Sequence, residues 1–239
     1  MSTMKNRTVF ITGGSRGIGR AIALACARQG ANVVIGAKSD EPHPKLPGTI
    51  HSVAEEIRQA GGQALPLVLD VRDEKLVRQR IDEAATHFGG IDALVNNAGA
   101  IKLAGVENLK VSRYDLMHQV NARAVFLCSQ AALPWLKESD QAHILSLSPP
   151  LNLDTRWFAQ YGPYTTTKFE VGGPQMMAQG RKPDIMADAA LSILSRPAGA
   201  MTGQSLIDED VLRADGLTDF EHYRYQAGDK PLLPDLFLD

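Results

Sequence analysis

Cysteine is scarce in this chain. Only Cys26 and Cys128 occur among 239 residues, both inside apolar helical patterns. A disulfide framework is therefore not the organising device, and each thiol reads as a buried, inert side chain. An excess of one charge is lacking too. The formal net charge is -2, which gives no electrostatic footprint for nucleic acid or an anionic membrane as partner. No apolar run is long enough to span a bilayer, so no membrane insertion is expected. The opening Met-Ser-Thr-Met-Lys-Asn-Arg leads into a strand without a signal-peptide apolar region. A cytoplasmic protein is expected. His43, His51, His87, His118, His143 and His222 show no metal-ligand spacing, so no metal site is expected.

What is present is an ordinary globular composition, 44% hydrophobic and 22% charged, in a length that suits one large domain over 1–239. Short β-branched or apolar runs alternate with amphipathic stretches. Strands are predicted at Thr8–Ile11, Asn32–Ile35, Leu65–Leu69, Asp92–Val95 and His143–Leu147. Between them lie helices from about Ile18 to Gln29 with Gly30 as C-cap, through Ile50, Val53, Ala54 and Ile57, through Val77 to Phe88, and from Leu116 to Leu133. The alternation implies parallel strands joined by helical crossovers, a doubly wound α/β sheet with helices on both faces. The Pro-rich stretch 39–48 reads as a long loop after the second strand.

Further along, the alternation falters. Only Phe169, Glu170 and Val171 separate Lys168 from Gly172-Gly173-Pro174, which breaks a helix. A helix is expected at Asp184–Leu194, and the next strand candidate is Gly203–Ile207. A sixth strand and most of the helix before it are thus missing from the pattern, and a sequence gap between 168 and 172 is expected there. A genuine deletion is the alternative; it would remove a parallel crossover, which needs a dozen or more residues.

Thr12-Gly-Gly-Ser-Arg-Gly-Ile-Gly19 follows the first strand and opens the first helix, the context that makes a glycine motif informative. Gly13 permits a tight turn, Gly17 lets a pyrophosphate approach the backbone, and Gly19 allows close helix packing. The helix start supplies unpaired N–H groups and positive potential. No carboxylate follows the second strand until Asp40, because the positions read Gly36-Ala37-Lys38-Ser39. An acid there would bind a ribose 2′-hydroxyl and repel a 2′-phosphate. Lys38 and Arg16 are instead placed to neutralise such a phosphate, so NADP(H) is expected over NAD(H). The plainer alternative is that both are solvated surface cations. Tyr164 and Lys168 stand one helical turn apart, so a phenol and an ammonium would share a face. A nearby cation favours the phenolate, which makes the tyrosine a usable acid/base.

The spacing Thr-Gly-x-x-x-Gly-x-Gly resembles the short-chain dehydrogenase/reductase family. Asn96-Asn97-Ala98-Gly99 after the fourth strand and Tyr164-x-x-x-Lys168 match that family's second and third signatures. The loop His43–Ile50, the segment Ser148–Leu153 and the tail Leu233–Asp239 resemble its hydroxysteroid dehydrogenase-like branch. In some members a sterol-carrier domain is attached, with no counterpart in these residues. The resemblance implies a Rossmann-type fold and hydride transfer between a nicotinamide and a carbonyl or secondary alcohol, with a hydrophobic or lipid-like small molecule as substrate. It implies cofactor contacts from Gly13, Ser15, Arg16, Gly17, Ile18, Gly19, Lys38, Asn97, Ala98, Gly99 and Lys168. Asp70 matches the family's adenine contact, and capping of a turn is the other reading of an Asp at a strand end.

By the same resemblance Tyr164 is the general acid/base, Lys168 lowers its pKa and binds the nicotinamide ribose, and Asn121 supports a proton-relay water. Pro149 occupies the usual catalytic-serine position. Ser148 is the candidate substitute, and Asn152 or a backbone N–H could otherwise polarise the substrate oxygen. Trp157 and Phe158 either line a substrate pocket or pack the core, and Met176 and Met177 either belong to the family's mobile substrate lid or pack a helix. The family also implies a homo-oligomer formed through the long helix and the tyrosine-bearing helix. A non-catalytic dinucleotide-binding or regulatory protein of the same fold is the alternative function.

Overall fold

The computed structural model describes residues 4–148, 163–164 and 181–225. Among the described residues five strands form one parallel sheet: β1 (Thr8–Thr12), β2 (Asn32–Ala37), β3 (Gln63–Val68), β4 (Ala93–Asn96) and β5 (His143–Ser146), in the order β3-β2-β1-β4-β5. The crossovers are α1 (Gly17–Arg28), α2 (Ile50–Gln59), α3 (Glu74–Phe88) and a long helical run between β4 and β5. Among the described residues, helices α6 (Asp184–Leu194) and α7 (Asp208–Ala214) follow farther along the chain. Strand order reverses between β1 and β4, which is where open α/β sheets bind ligands.

The period of two along β1 builds both layers of the core. Val9 and Ile11 point into the cluster that includes Val33, Ile35, Val95 and apolar residues of α1, α2 and α6. Phe10 points to the opposite face, with Val34, Leu94 and apolar residues of α3 and the long helix. Every residue of β1 and β2 is buried, as expected for central parallel strands covered on both sides. Gly30 ends α1 in the left-handed region at φ +86°, with Ala31 N–H returned to the Cys26 carbonyl at 3.1 Å. Thr49 caps α2 in a reciprocal pair with Ser52, and Asp73 caps α3 through the Leu76 N–H.

The helix expected from Leu116 to Leu133 is longer and less regular than its periodicity suggests. It comprises α4 (Val111–His118), a π-helical turn (Gln119–Arg123) and α5 (Ala124–Leu136). Asn121 lies at the centre of the π turn, an irregularity that recurs at functional sites.

The strand expected at Gly203–Ile207 is not one. These residues form a turn and an irregular lead into α7, with Ile207 as its N-cap residue. Asp208, Glu209 and Asp210 fill the first turn of α7, where acidic side chains favour a helix start. Arg181 instead makes an isolated antiparallel bridge with Arg224. Phe220 carries the guanidinium groups of Arg181 and Arg213 at 5.3 and 4.7 Å from its ring centre. Glu209 pairs with both arginines. The expected gap between 168 and 172 and the long-range consequences of it lie outside the described residues.

Candidate active site

Because all five strands are parallel, their C-terminal ends share one edge of the sheet. Gly13–Gly19, Lys38, Asp70, Asn97 and Ser148 each follow a different strand and so are brought to that edge. Gly13 and Gly17 of the first turn then divide the work. Gly13 adopts φ +69°, and a Cβ there would stand 2.9 Å from the Ala98 Cα. Around Gly17, at φ +53°, an added Cβ would meet nothing within 4 Å. This open backbone opens α1, whose first turn holds no acidic residue and whose N-cap residue, Arg16, makes no side-chain capping bond. A pyrophosphate fits such a place: close approach to bare backbone, N–H groups facing outward and no competing carboxylate. When bound, a nicotinamide dinucleotide would supply the hydride chemistry.

The turn after β4 braces the glycine turn. Asn97 donates its carboxamide to the Thr12 and Gly13 carbonyls at 2.9 and 3.0 Å. The Thr12 hydroxyl donates to the Val95 carbonyl at 3.3 Å. It also accepts from the backbone N–H groups of Asn97 and Ala98 at 3.0 and 3.1 Å. Thr12 thus joins three backbone groups through one hydroxyl. Its β-branched position at a strand end before glycine is the only sequence signal for that task.

Farther along the edge, Asn121 is buried and grips Ala100 from both sides. Its Oδ1 accepts from the Ala100 N–H and its Nδ2 donates to the Ala100 carbonyl, each at 2.8 Å. Ala100 also packs against a small apolar cluster in which Tyr164 and Met117 are both 1% exposed, with Leu103 and Leu109 beside them. Met117 and Asn121 are one helical turn apart. One face of the long helix therefore holds the Ala100 loop and covers the Tyr164 ring. Met117 and Ala100 carry no signal of these contacts in the sequence, because the contacts depend on tertiary placement. Ser148 is exposed two residues beyond β5. Lys168, Pro149, Asn152, Trp157, Phe158, Met176 and Met177 lie outside the described residues.

The two cations expected to face a 2′-phosphate, Arg16 after β1 and Lys38 after β2, both have partners. Arg16 donates to the Ser39 hydroxyl. Lys38 lies 3.3 Å from Asp70 and keeps 64% of its side chain exposed. Asp70 does cap its turn, accepting from the Arg72 N–H at 3.1 Å. The Arg72 guanidinium also holds this carboxylate, chiefly through hydrogen bonding, well below the usual carboxylate range. Cys26 and Cys128 are buried and free, and desolvation pushes both thiols up to about 12. Among the described residues no cluster of His, Cys, Asp or Glu could hold a metal ion.

The glycine turn, the brace from β4 and the parallel sheet together define a dinucleotide-binding dehydrogenase fold. A family model for the short chain dehydrogenase matches residues 7–180, and the chain belongs to that family. It is 47% identical to hydroxysteroid dehydrogenase-like protein 2 of Rattus norvegicus, over 97% of this chain and 50% of that protein. The human protein of the same name is 46% identical over 97% of this chain and 63% of its own length. The chain thus spans half to under two thirds of these relatives. Their alignments run over 266 positions, more than the 239 residues here, so the relatives carry residues with no counterpart in this chain. Among solved structures, a short chain dehydrogenase from Mycobacterium thermoresistibile superposes with a TM-score of 0.92 at 40% identity, covering 99% of this chain and 96% of that one. A short-chain dehydrogenase/reductase variant from Serratia marcescens gives 0.69 at 26% identity, covering 85% of this chain and 96% of that one.

Proposed function

We propose that the protein is an NADP(H)-dependent oxidoreductase that interconverts a carbonyl and a secondary alcohol on a hydrophobic or lipid-like small molecule. The observation that carries this reading is the continuity of the two halves of the edge. Asn97 braces the glycine turn, and three residues later Ala100 packs on the Tyr164 cluster. In this reading Gly17 and the start of α1 hold the pyrophosphate, with Ser15, Ile18, Gly19, Ala98 and Gly99 around it. Arg16 and Lys38 face the 2′-phosphate, and Asp70 borders the adenine. Tyr164 exchanges the proton at its Oη with the substrate oxygen, and Asn121 fixes the loop that borders it. Lys168 lowers the Tyr164 pKa and holds the ribose; Ser148 polarises the substrate oxygen.

The apolar side chains of Met117, Leu103 and Leu109 around the phenol support an apolar substrate. The names of the mammalian relatives point the same way. Exposed Phe126 and Leu133 on α5, at 62% and 43%, support a homo-oligomer through that helix. The location proposed from the sequence is cytoplasmic; among the described residues no helix is long and apolar enough to cross a membrane.

The test is NADPH oxidation with a panel of apolar ketones and aldehydes. Tyr164→Phe is expected to lower kcat by about 10²–10⁴-fold with NADPH affinity retained. Turnover indifferent to that change would sink the catalytic assignment. The near-complete burial of Tyr164 favours a second reading, a dinucleotide-binding protein without turnover. Retained NADPH binding with no oxidation of any panel member by the parent protein would select it.

A further inference from the structure

Asp70 follows β3, beside the end of β2, where a bare carboxylate would repel a 2′-phosphate much as an acid at the end of β2 does. Here it is not bare. Arg72 meets it through Nε at 2.9 Å to Oδ1 and 3.1 Å to Oδ2, through Nη2 at 2.6 Å to Oδ2, and through the backbone N–H at 3.1 Å to Oδ1. Lys38 makes one longer approach, 3.3 Å to Oδ2. Two cations therefore share one carboxylate, and the nearer, forked one has the better geometry for it. Arg72 is also held in place from behind, since its carbonyl accepts from Arg123 at 3.1 Å.

We propose that Arg72 is a positioning residue for cofactor preference: by neutralising Asp70 it leaves the Lys38 ammonium as surplus positive charge for a 2′-phosphate. The proposal rests on the dinucleotide reading of the glycine turn. Without Arg72 the charges of Lys38 and Asp70 would cancel, and Lys38 would be drawn to the carboxylate 3.3 Å away. Arg16, bound to Ser39 on the other side of the loop, would then be the only cation of the pair still facing the phosphate. The other charged groups near Arg72 are already matched: Glu74 pairs with Arg78 and Arg123, and Asp73 caps α3.

The effect is read on the protein without turnover, as calorimetric affinities for adenosine 2′,5′-bisphosphate and for 5′-AMP, which differ only by the 2′-phosphate. The parent should prefer the bisphosphate. Arg72→Gln should cut that preference about tenfold, the scale of one lost charge interaction near a surface, with 5′-AMP affinity unchanged. Adding Asp70→Asn to Arg72→Gln should restore most of it, because the carboxylate that Arg72 neutralises is gone. Arg72→Lys should restore part. The proposal is overturned if Arg72→Gln leaves the ratio unaltered, lowers both affinities equally, or is not rescued by Asp70→Asn. A parent that binds neither nucleotide would overturn the dinucleotide reading itself. Thermal melting of each variant separates a folding loss from a change of preference.

Discussion

Gly19 and Asn97 are in contact across the sheet edge: a Cβ added to Gly19 would stand 2.5 Å from the Asn97 Nδ2 and equally close to the Gly13 carbonyl. The first turn of α1 and the turn after β4 therefore fit only without a side chain at 19. Gly19→Ala should cost about 3 kcal/mol, the upper range for overpacking a site with no room to relax. Gly17→Ala should cost about 1 kcal/mol for its left-handed backbone, since its Cβ meets open space. Its larger effect should be on cofactor affinity, because that open space is where the pyrophosphate is proposed to pass. Melting temperatures paired with NADPH titrations check the contrast; equal losses in both measurements for both variants would contradict it.

Asn121 is expected to matter for stability and for turnover at once. Asn121→Ala strands the N–H and C=O of Ala100, each now bonded at 2.8 Å. The expected destabilisation is about 1–3 kcal/mol, with a fall in kcat and little change in NADPH affinity, because the glycine turn is braced by Asn97 instead. Asn121→Asp should recover the acceptor half of the clamp only. Urea unfolding together with steady-state kinetics measures both effects, and an unchanged unfolding midpoint would refute the clamp.

The two thiols should be silent in the folded protein. Cys26 and Cys128 are buried in the helices on opposite faces of the sheet, and desolvation raises both to about 12. Native protein should not react with a thiol reagent at pH 8, while two equivalents should react in denaturant. The linkage has a definite sign. A raised folded-state pKa contributes stability fully below the unfolded value of 9.0, and that contribution is lost as pH rises through about 12. Replacing both residues by alanine should therefore flatten the alkaline limb of the stability curve, and a limb that stays as steep would assign it elsewhere.

The strands and α6 were legible because period and punctuation agreed. The expected Asp184–Leu194 matches α6 residue for residue, since an acid at its start and an apolar stripe at helical spacing pointed to one answer. Gly203–Ile207 misled because a short apolar run does not by itself distinguish a strand from the approach to a helix. Its acidic continuation, Asp208-Glu209-Asp210, was the discriminating signal. The glycine turn was readable because a backbone without side chains leaves its mark directly in composition. Thr12 and Arg72 were not, because their partners lie in other elements, or two residues away in a geometry that only folding fixes. The π turn at Asn121 also left no mark, because one residue of slack in a helix hardly shifts an apolar stripe.

The Thr12 hydroxyl has a consequence for how such a protein can change. It ties the glycine turn to the turn after β4 at the interior of the edge, whereas Lys38, Asp70 and Arg72 stand at the partly exposed rim. In the proposed reading, holding a dinucleotide and choosing between its phosphorylated and unphosphorylated forms would fall to separate parts of one surface. On that reading, substitutions at the rim should retune the choice without loosening the knot beneath it. Substitutions at the knot have no comparable freedom, so divergence among proteins built this way should accumulate at the rim first.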